Sequence, residues 1–351
     1  MTEFRDPERT IEFEFVRATE NAALHAMHWI RRGDKEAADA AACDAIYGVF
    51  DLVDMRGEVV IGEGIKDKAP GIFLGDRLGT WKEGSPRFDI ALDPVDGTTN
   101  ISKGMANSIS VMSAAETPGG KAIMRNIPAF YTHKLSYGPE IAKAVAEAGL
   151  ERTLIDQPMK EVLKLTSRAL GKRVAELVVL ILDRPRNKKF VDEVRDAGAS
   201  LRMVGDGDIS AAIAPALAES GIDLHVGIGG TPEGILTATA MRALGGDIQL
   251  RMWFKDDTAK KDELGDDAQA AKDVDRVFNA EELSPGDSAI FCATGITDSA
   301  LLPGVKLIGK TAITHSILMR ARSRTVRYIR AVHNLEHKTI HLRSDRGDHK
   351  I

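Results

Sequence analysis

Asp93-Pro94-Val95-Asp96-Gly97-Thr98 sets two carboxylates three residues apart, directly after the strand-like segment 88–92. Pro94 restricts the backbone between them, and Gly97 permits a turn that other residues resist. A buried strand that ends on aspartate meets a desolvation cost of several kcal/mol unless the charge is paired or metal-bound. Two such charges repel, and a divalent cation relieves the repulsion. The Thr98 hydroxyl follows, placed to orient or deprotonate a water or to hold a phosphate. Taken alone, the segment is also an ordinary turn, with Asp93 as a cap and Asp96-Gly97 reversing the chain.

Further acids stand at other element ends. Gly62-Glu63-Gly64 puts a carboxylate between two glycines after a β-branched run, and Gly33-Asp34-Lys35 puts one at a helix break. Glu233 falls in the first turn of a helix after the glycine-rich segment 227–230. Each has a plain structural reading: an N-cap for Asp34, an exposed turn acid for Glu63, a macrodipole partner for Glu233. Together Asp34, Glu63, Asp93, Asp96 and Glu233 have no His or Cys companion, which points to hard, oxygen-loving cations, Mg²⁺ or Mn²⁺. Such cations beside phosphate-suited loops point to phosphoryl chemistry, in which paired metals about 3.5–4 Å apart clamp attacking and leaving oxygens. The chain has no Gly-x-x-x-x-Gly-Lys-Ser/Thr motif, so water is the natural acceptor and phosphomonoester hydrolysis the reaction class.

The elements that must position these acids follow from periodicity. Apolar spacing predicts helices over 7–31 and 35–55, then strands over 58–61, 88–92, 107–115 and 122–137, forming an antiparallel or mixed sheet with helices packed on it. After about residue 158 strands (177–182, 201–204, 222–226, 248–252) alternate with helices (187–197, 209–218, 231–244). That alternation predicts an α/β architecture whose C-terminal part is a doubly wound, mostly parallel sheet, with ligand loops at the carboxyl ends of its strands. The expected domains are therefore 1–158 and 159–351. Residues 255–287 are heavily charged and read as a solvated excursion, and 325–330 as a strand with one arginine-bearing face.

Composition excludes several classes. The 351 residues are 43% hydrophobic and 28% charged, with a formal net charge of −5, which argues against a nucleic-acid binder. The longest apolar run, 177–182, is too short to span a bilayer, and the N-terminal nine residues lack a signal peptide's apolar core. Cys43 and Cys292 read as buried hydrophobes. A soluble, cytoplasmic protein is the expectation.

Asp93–Thr98 resembles the metal motif of the inositol-monophosphatase-like sugar phosphatases. With segments 32–35, 60–64, 69–70, 185–186, 206–208 and 227–234, the chain resembles class II fructose-1,6-bisphosphatases, including the branch that also hydrolyses sedoheptulose-1,7-bisphosphate. The resemblance runs from about residue 17 to 340, and Gly-Ile-Gly-Gly-x-Pro-Glu-Gly is specific to that class. It implies a layered α/β sandwich, one metal on Asp34 and Glu63, and a second on Asp93, Asp96 and Glu233. It also implies catalytic roles for Asp34, Glu63 and Thr98, with Thr98 positioning the attacking water. Asp96, Gly97 and Thr98 would touch the scissile phosphate. Tyr131, Arg184, Pro185 and Arg186 would contact the sugar bisphosphate, Asp206, Gly207 and Asp208 its hydroxyls, and Gly230 would lend backbone. A homotetramer is implied as well. Asp96 stands where many members carry Glu, and the cysteine-bearing insertion of photosynthetic members is missing between the Glu63 and Asp93 motifs. An inositol- or nucleotide-phosphate phosphatase and a non-catalytic sugar-phosphate sensor are the alternatives.

Overall fold

The computed structural model describes residues 6–62, 71–117, 119–344 and 348–350. It is a mixed α/β protein with two compact units, residues 1–124 with 286–351, and residues 125–285. The boundary expected near 158 therefore moves to 124, and the chain returns to the first unit at 286.

The cause of the shift is a long-range pairing. In the first unit's eight-stranded sheet, Ala289–Gly295 lies antiparallel between Ile109–Glu116 and Thr311–Arg320. Beyond 109–116 come Arg87–Asp96, Arg56–Ile61 and Arg77–Leu78, with 56–61 and 87–96 parallel to one another. Thr325–Asn334 pairs along all ten residues of 311–320, as the arginine-rich pattern suggested. Helices Pro7–Ala26 and Lys35–Phe50 bury alanines, Phe15, Ile46 and Phe50 against Ile90, Leu92, Met112 and Cys292. Both helices stop earlier than expected, the first passing into a short 3-10 turn, Met27–Trp29. Cys43 and Cys292 are buried and joined in no disulfide among the described residues, and burial pushes the Cys292 thiol up to about 12.

One buried cation ties the N-terminal helix to this sheet. Arg320, 6% exposed, lies 2.6 Å from Glu8, 3.0 Å from Asp6 and 3.7 Å from Glu12. Removing one partner of a buried ion cluster strands the others without compensation. Arg320→Ala is expected to lower unfolding free energy by about 3–5 kcal/mol at neutral pH. Urea titrations of variant and parent should converge toward acid pH, where protonation removes the stranded charges.

In the second unit, Val178–Leu182 runs parallel to Ser200–Val204 and to Leu224–Gly230. Tyr131–Tyr137 is antiparallel to both 224–230 and Asp247–Trp253. This sheet is mixed rather than mostly parallel, because the strand foreseen over 122–137 shortens to 131–137 and inserts here, not in the first sheet. One face is apolar, with Leu135, Tyr137, Val179, Ile181 and Val226 packed on Val162, Leu163 and Val194. The other is polar, since Thr132, Lys134 and Ser136 pair in register with Gly229, Gly227 and His225. Residues 255–287 hold three short helices; Asp257–Leu264 buries nothing, as expected of a solvated excursion, whereas Phe278 is buried and bridges Leu250.

Asp247 caps this region by accepting the N–H groups of Ile248 (2.8 Å) and Ala280 (2.9 Å) on one oxygen. Burial nevertheless pushes its carboxyl up to about 6. A raised folded value means that the contribution is complete below about pH 4 and is lost as pH climbs through 6. Asp247→Asn keeps the acceptor oxygen. It should be more stable than the parent by about 1–2 kcal/mol at pH 7.5, with the gap closing by pH 4 in thermal or urea melts. Among the described residues, no helix is long and apolar enough to cross a membrane.

Candidate functional site

In the first unit, strand 87–96 carries Asp93 and Asp96 to its end. Asp93 pairs with Val111 and Asp96 with Ile109, with an irregularity between, where Pro94 can donate no ladder hydrogen bond. Asp93 Oδ1 accepts the Val95 N–H at 3.0 Å, a bond within the turn, and the helix that follows is capped by Gly97 rather than by Asp93. Asp93 is half-buried and Asp96 is 4% exposed.

Gly97 follows with φ +90 and caps the short helix Thr98–Lys103. A Cβ there would sit 2.6 Å from the Asn107 carbonyl oxygen and 2.9 Å from Ser108 Oγ. Ser108 Oγ donates to the Gly97 carbonyl at 2.7 Å and Asn100 Nδ2 to the Asn107 carbonyl at 3.0 Å, fixing the turn from both sides. Thr98, half-buried, opens the helix.

The Asp34 loop is tied to that same helix. Arg31 N–H donates to Ile101 O at 3.0 Å and Gly33 N–H to Ser102 O at 3.1 Å. Asp34 is exposed and N-caps Lys35–Phe50 by accepting the Ala37 N–H at 2.9 Å through Oδ1. Its structural reading is thus realised, and a carboxylate that caps through one oxygen keeps acceptor capacity on the other. Glu63 lies outside the described residues.

The second unit carries the remaining candidates. Glu233 stands in the first turn of Thr231–Leu244, which starts at Gly230 directly after strand 224–230. A Cβ on Gly230 would overlap the Glu233 carboxylate, and one on Gly229 would overlap that of Asp208. Neither glycine is needed for a left-handed backbone; each makes room for an acid lying on the strand end. Glu233 Oε2 is sealed from solvent and has no hydrogen-bond partner among the described residues. Burial raises its carboxyl above the usual range; Lys134 pulls it down, while Asp208 and Asp206 push it further up.

Arg184 pairs with Asp206 at 3.0 Å, both half-buried. Pro185 opens a 3-10 turn, Pro185–Asn187. The Arg186 guanidinium donates to the Ile228 carbonyl at 2.9 Å and lies 4.5 Å over the Tyr131 ring, which meets Trp253 edge-on at 6.2 Å. Gly207, φ +85, caps Asp208–Ile213. Asp208 is 5% exposed and ion-paired to Lys134, itself fully buried. Burial would raise the Asp208 carboxyl, but Lys134 and His225 together hold it well below the usual carboxylate range.

Three residues were not foreseen. Lys134 had a signal that could have found it, since a lysine alternating with small polar residues inside a strand is a visible anomaly. His225 and Asn187 gave no sequence signal. Asn187, fully buried, clamps two strand ends by donating to Leu182 O at 3.0 Å and accepting the Ile228 N–H at 2.7 Å.

Among the described residues, no three His, Cys, Asp or Glu side chains converge into a metal cage. The chemistry of the donors still fits a hard cation. Asp34, Asp93, Asp96 and Glu233 offer oxygen alone, and an ionised carboxylate oxygen sealed from water, as at Glu233, is costly until a cation meets it.

Comparisons with known proteins agree with the motif resemblance. Residues 9–333 match the family described as bacterial fructose-1,6-bisphosphatase, glpX-encoded. The chain is 35% identical over 356 aligned positions to the D-fructose 1,6-bisphosphatase class 2/sedoheptulose 1,7-bisphosphatase of Trichodesmium erythraeum, covering 96% of this chain and all of the relative. It is 34% identical to the protein of the same name from Synechococcus elongatus, with the same coverage. It is 36% identical over 337 positions to the fructose-1,6-bisphosphatase class 2 of Haemophilus influenzae, covering 93% of this chain and 97% of that one.

Proposed function

The chain belongs to the glpX-encoded bacterial fructose-1,6-bisphosphatase family, and from that premise we propose that it hydrolyses fructose-1,6-bisphosphate at the 1-phosphate, giving fructose-6-phosphate and phosphate. The observation that carries the reading is the extent of the match: residues 9–333 take in every expected site segment from Asp34 to Glu233. The names of two relatives favour sedoheptulose-1,7-bisphosphate as a second substrate.

Asp34, Glu63, Asp93, Asp96 and Glu233 are the proposed ligands of Mg²⁺ or Mn²⁺, two or more ions in all. A bound cation of this kind supplies Lewis-acid stabilisation of charge on phosphate oxygens. The chain's own residues do the rest. Thr98 orients the attacking water, and Gly97, fixed by Ser108, offers backbone to the scissile phosphate. Arg186, fixed by the Ile228 carbonyl and the Tyr131 ring, presents a guanidinium suited to a bidentate phosphate contact. Arg184, positioned by Asp206, adds a second positive charge, while Asp206 and the Gly207 backbone face the sugar hydroxyls. A cytoplasmic homotetramer is the proposed form.

Phosphate release from a panel of monoesters tests the reading. Preference for fructose-1,6-bisphosphate over inositol phosphate and phosphoadenosine phosphate is expected. Preference for either of those would select another branch of the superfamily, and binding without turnover would mark a sensor.

A further inference from the structure

The polar face of the second sheet buries a charged pair with a histidine beside it. Lys134, fully buried on its strand, is ion-paired to Asp208 Oδ2, and His225 Nε2 lies 3.4 Å from Asp208 Oδ1. The carboxylate is thus paired with the buried ammonium through one oxygen, with the imidazole beside the other, and Gly229 gives it the space of a missing side chain. Lys134 also reaches the other acid's helix: a Cβ on Gly234 would lie 3.2 Å from Lys134 Cε and 3.7 Å from Nζ. The ammonium therefore stands beside the first turn that carries Glu233, whose Oε2 is buried without a hydrogen-bond partner among the described residues.

We propose that Asp208 is a positioning residue that acts as the counter-ion of Lys134, keeping the buried ammonium off Glu233 so that Glu233 stays open to a divalent cation. The proposal rests on reading Glu233 as a cation ligand. It gives Asp208 a different task from its neighbour Asp206: its carboxylate works through Lys134 and does not grip the sugar. The physical argument is competition. A buried ammonium without its carboxylate seeks the nearest anion, and the pair so formed opposes cation binding at the same oxygens.

The test titrates Mn²⁺ alone into the purified full-length protein, read by calorimetry or by loss of the free-ion paramagnetic signal. Asp208→Asn should weaken Mn²⁺ binding by about tenfold or more, because a freed ammonium pairs with Glu233. The double variant K134M/D208N, which removes both charges, should recover parental affinity to within about threefold. Two results overturn the proposal: D208N binding Mn²⁺ like the parent while its KM for the sugar bisphosphate rises, or a double variant as weak as D208N. If circular dichroism shows D208N unfolded, the double variant decides by its Mn²⁺ affinity alone. If that too is unfolded, a parental crystal with Mn²⁺ and substrate decides: Lys134 on Asp208 with Glu233 on the ion supports the proposal, and a sugar hydroxyl on the Asp208 carboxylate refutes it. A parent that binds Mn²⁺ yet hydrolyses no sugar bisphosphate defeats the functional reading instead, and leaves the Mn²⁺ comparison intact.

Discussion

Glu233→Gln removes about three orders of magnitude from kcat for fructose-1,6-bisphosphate while leaving the thermal midpoint equal to or above that of the parent. The amide keeps the shape that fits over Gly230, so the start of helix 231–244 is undisturbed. What it loses is the anionic oxygen, and cation stabilisation of transition-state charge is worth several kcal/mol, or about 10³ in rate. Stability moves the other way because burial raises the Glu233 carboxyl, so the ionised form opposes folding at neutral pH. Steady-state rates at saturating Mg²⁺ and a melting curve check both halves. A variant that is slow because it is poorly folded would show a lower midpoint and would count against this account.

Asp96→Asn is expected to act on the same scale, about 10³ in kcat, with a rise in the Mn²⁺ concentration needed for half-maximal rate. Asp96 is buried at the end of a ten-residue strand, and the turn after it is held by Gly97, Ser108 and Asn100, so the amide has no freedom to swing away. Asp93→Asn should cost as much catalytically. Its amide oxygen can still accept the Val95 N–H, so the turn survives and the loss is chemical. Initial rates across a Mn²⁺ series, with circular dichroism as the fold control, separate the two effects. Full activity of either variant at saturating metal would remove these aspartates from the ligand set.

The turn 93–98 was legible from sequence because its determinants are adjacent: two acids, a proline and a glycine fix a local geometry that needs no distant partner. Asp34 was legible only as a pair of alternatives. The structure shows the capping bond to Ala37 on one oxygen, which leaves the other for the proposed cation. Gly230 was read as a backbone contributor, and its missing side chain turns out to shelter the Glu233 carboxylate.

What sequence hid was long-range. Strand 289–295 looks like any apolar run, and nothing local says that it slots between strands 109–116 and 311–320, so the local pattern alone points to a boundary near 158. Residues 122–130 carry some β-favouring types, but the N–H groups of Ile123 and Met124 go to the Asp89 carboxylate and that of Arg125 to the Leu283 carbonyl rather than to a strand, so strand 131–137 begins late and joins the other sheet. The role of Asp208 was hidden for a similar reason. A short Asp-Gly-Asp segment reads as two equivalent hydroxyl ligands, and only the buried Lys134 separates Asp208 from Asp206.

Anomalous scattering from a Mn²⁺-soaked crystal of the active enzyme tests the central claim most directly, that carboxylates at the 93–96 turn hold a catalytic cation. The account predicts a manganese peak in direct contact with carboxylate oxygens of Asp93 and Asp96, at about 2.0–2.3 Å, lost in Asp96→Asn together with activity. A crystal of enzyme that turns over in Mn²⁺, yet shows no manganese at either aspartate, would contradict it.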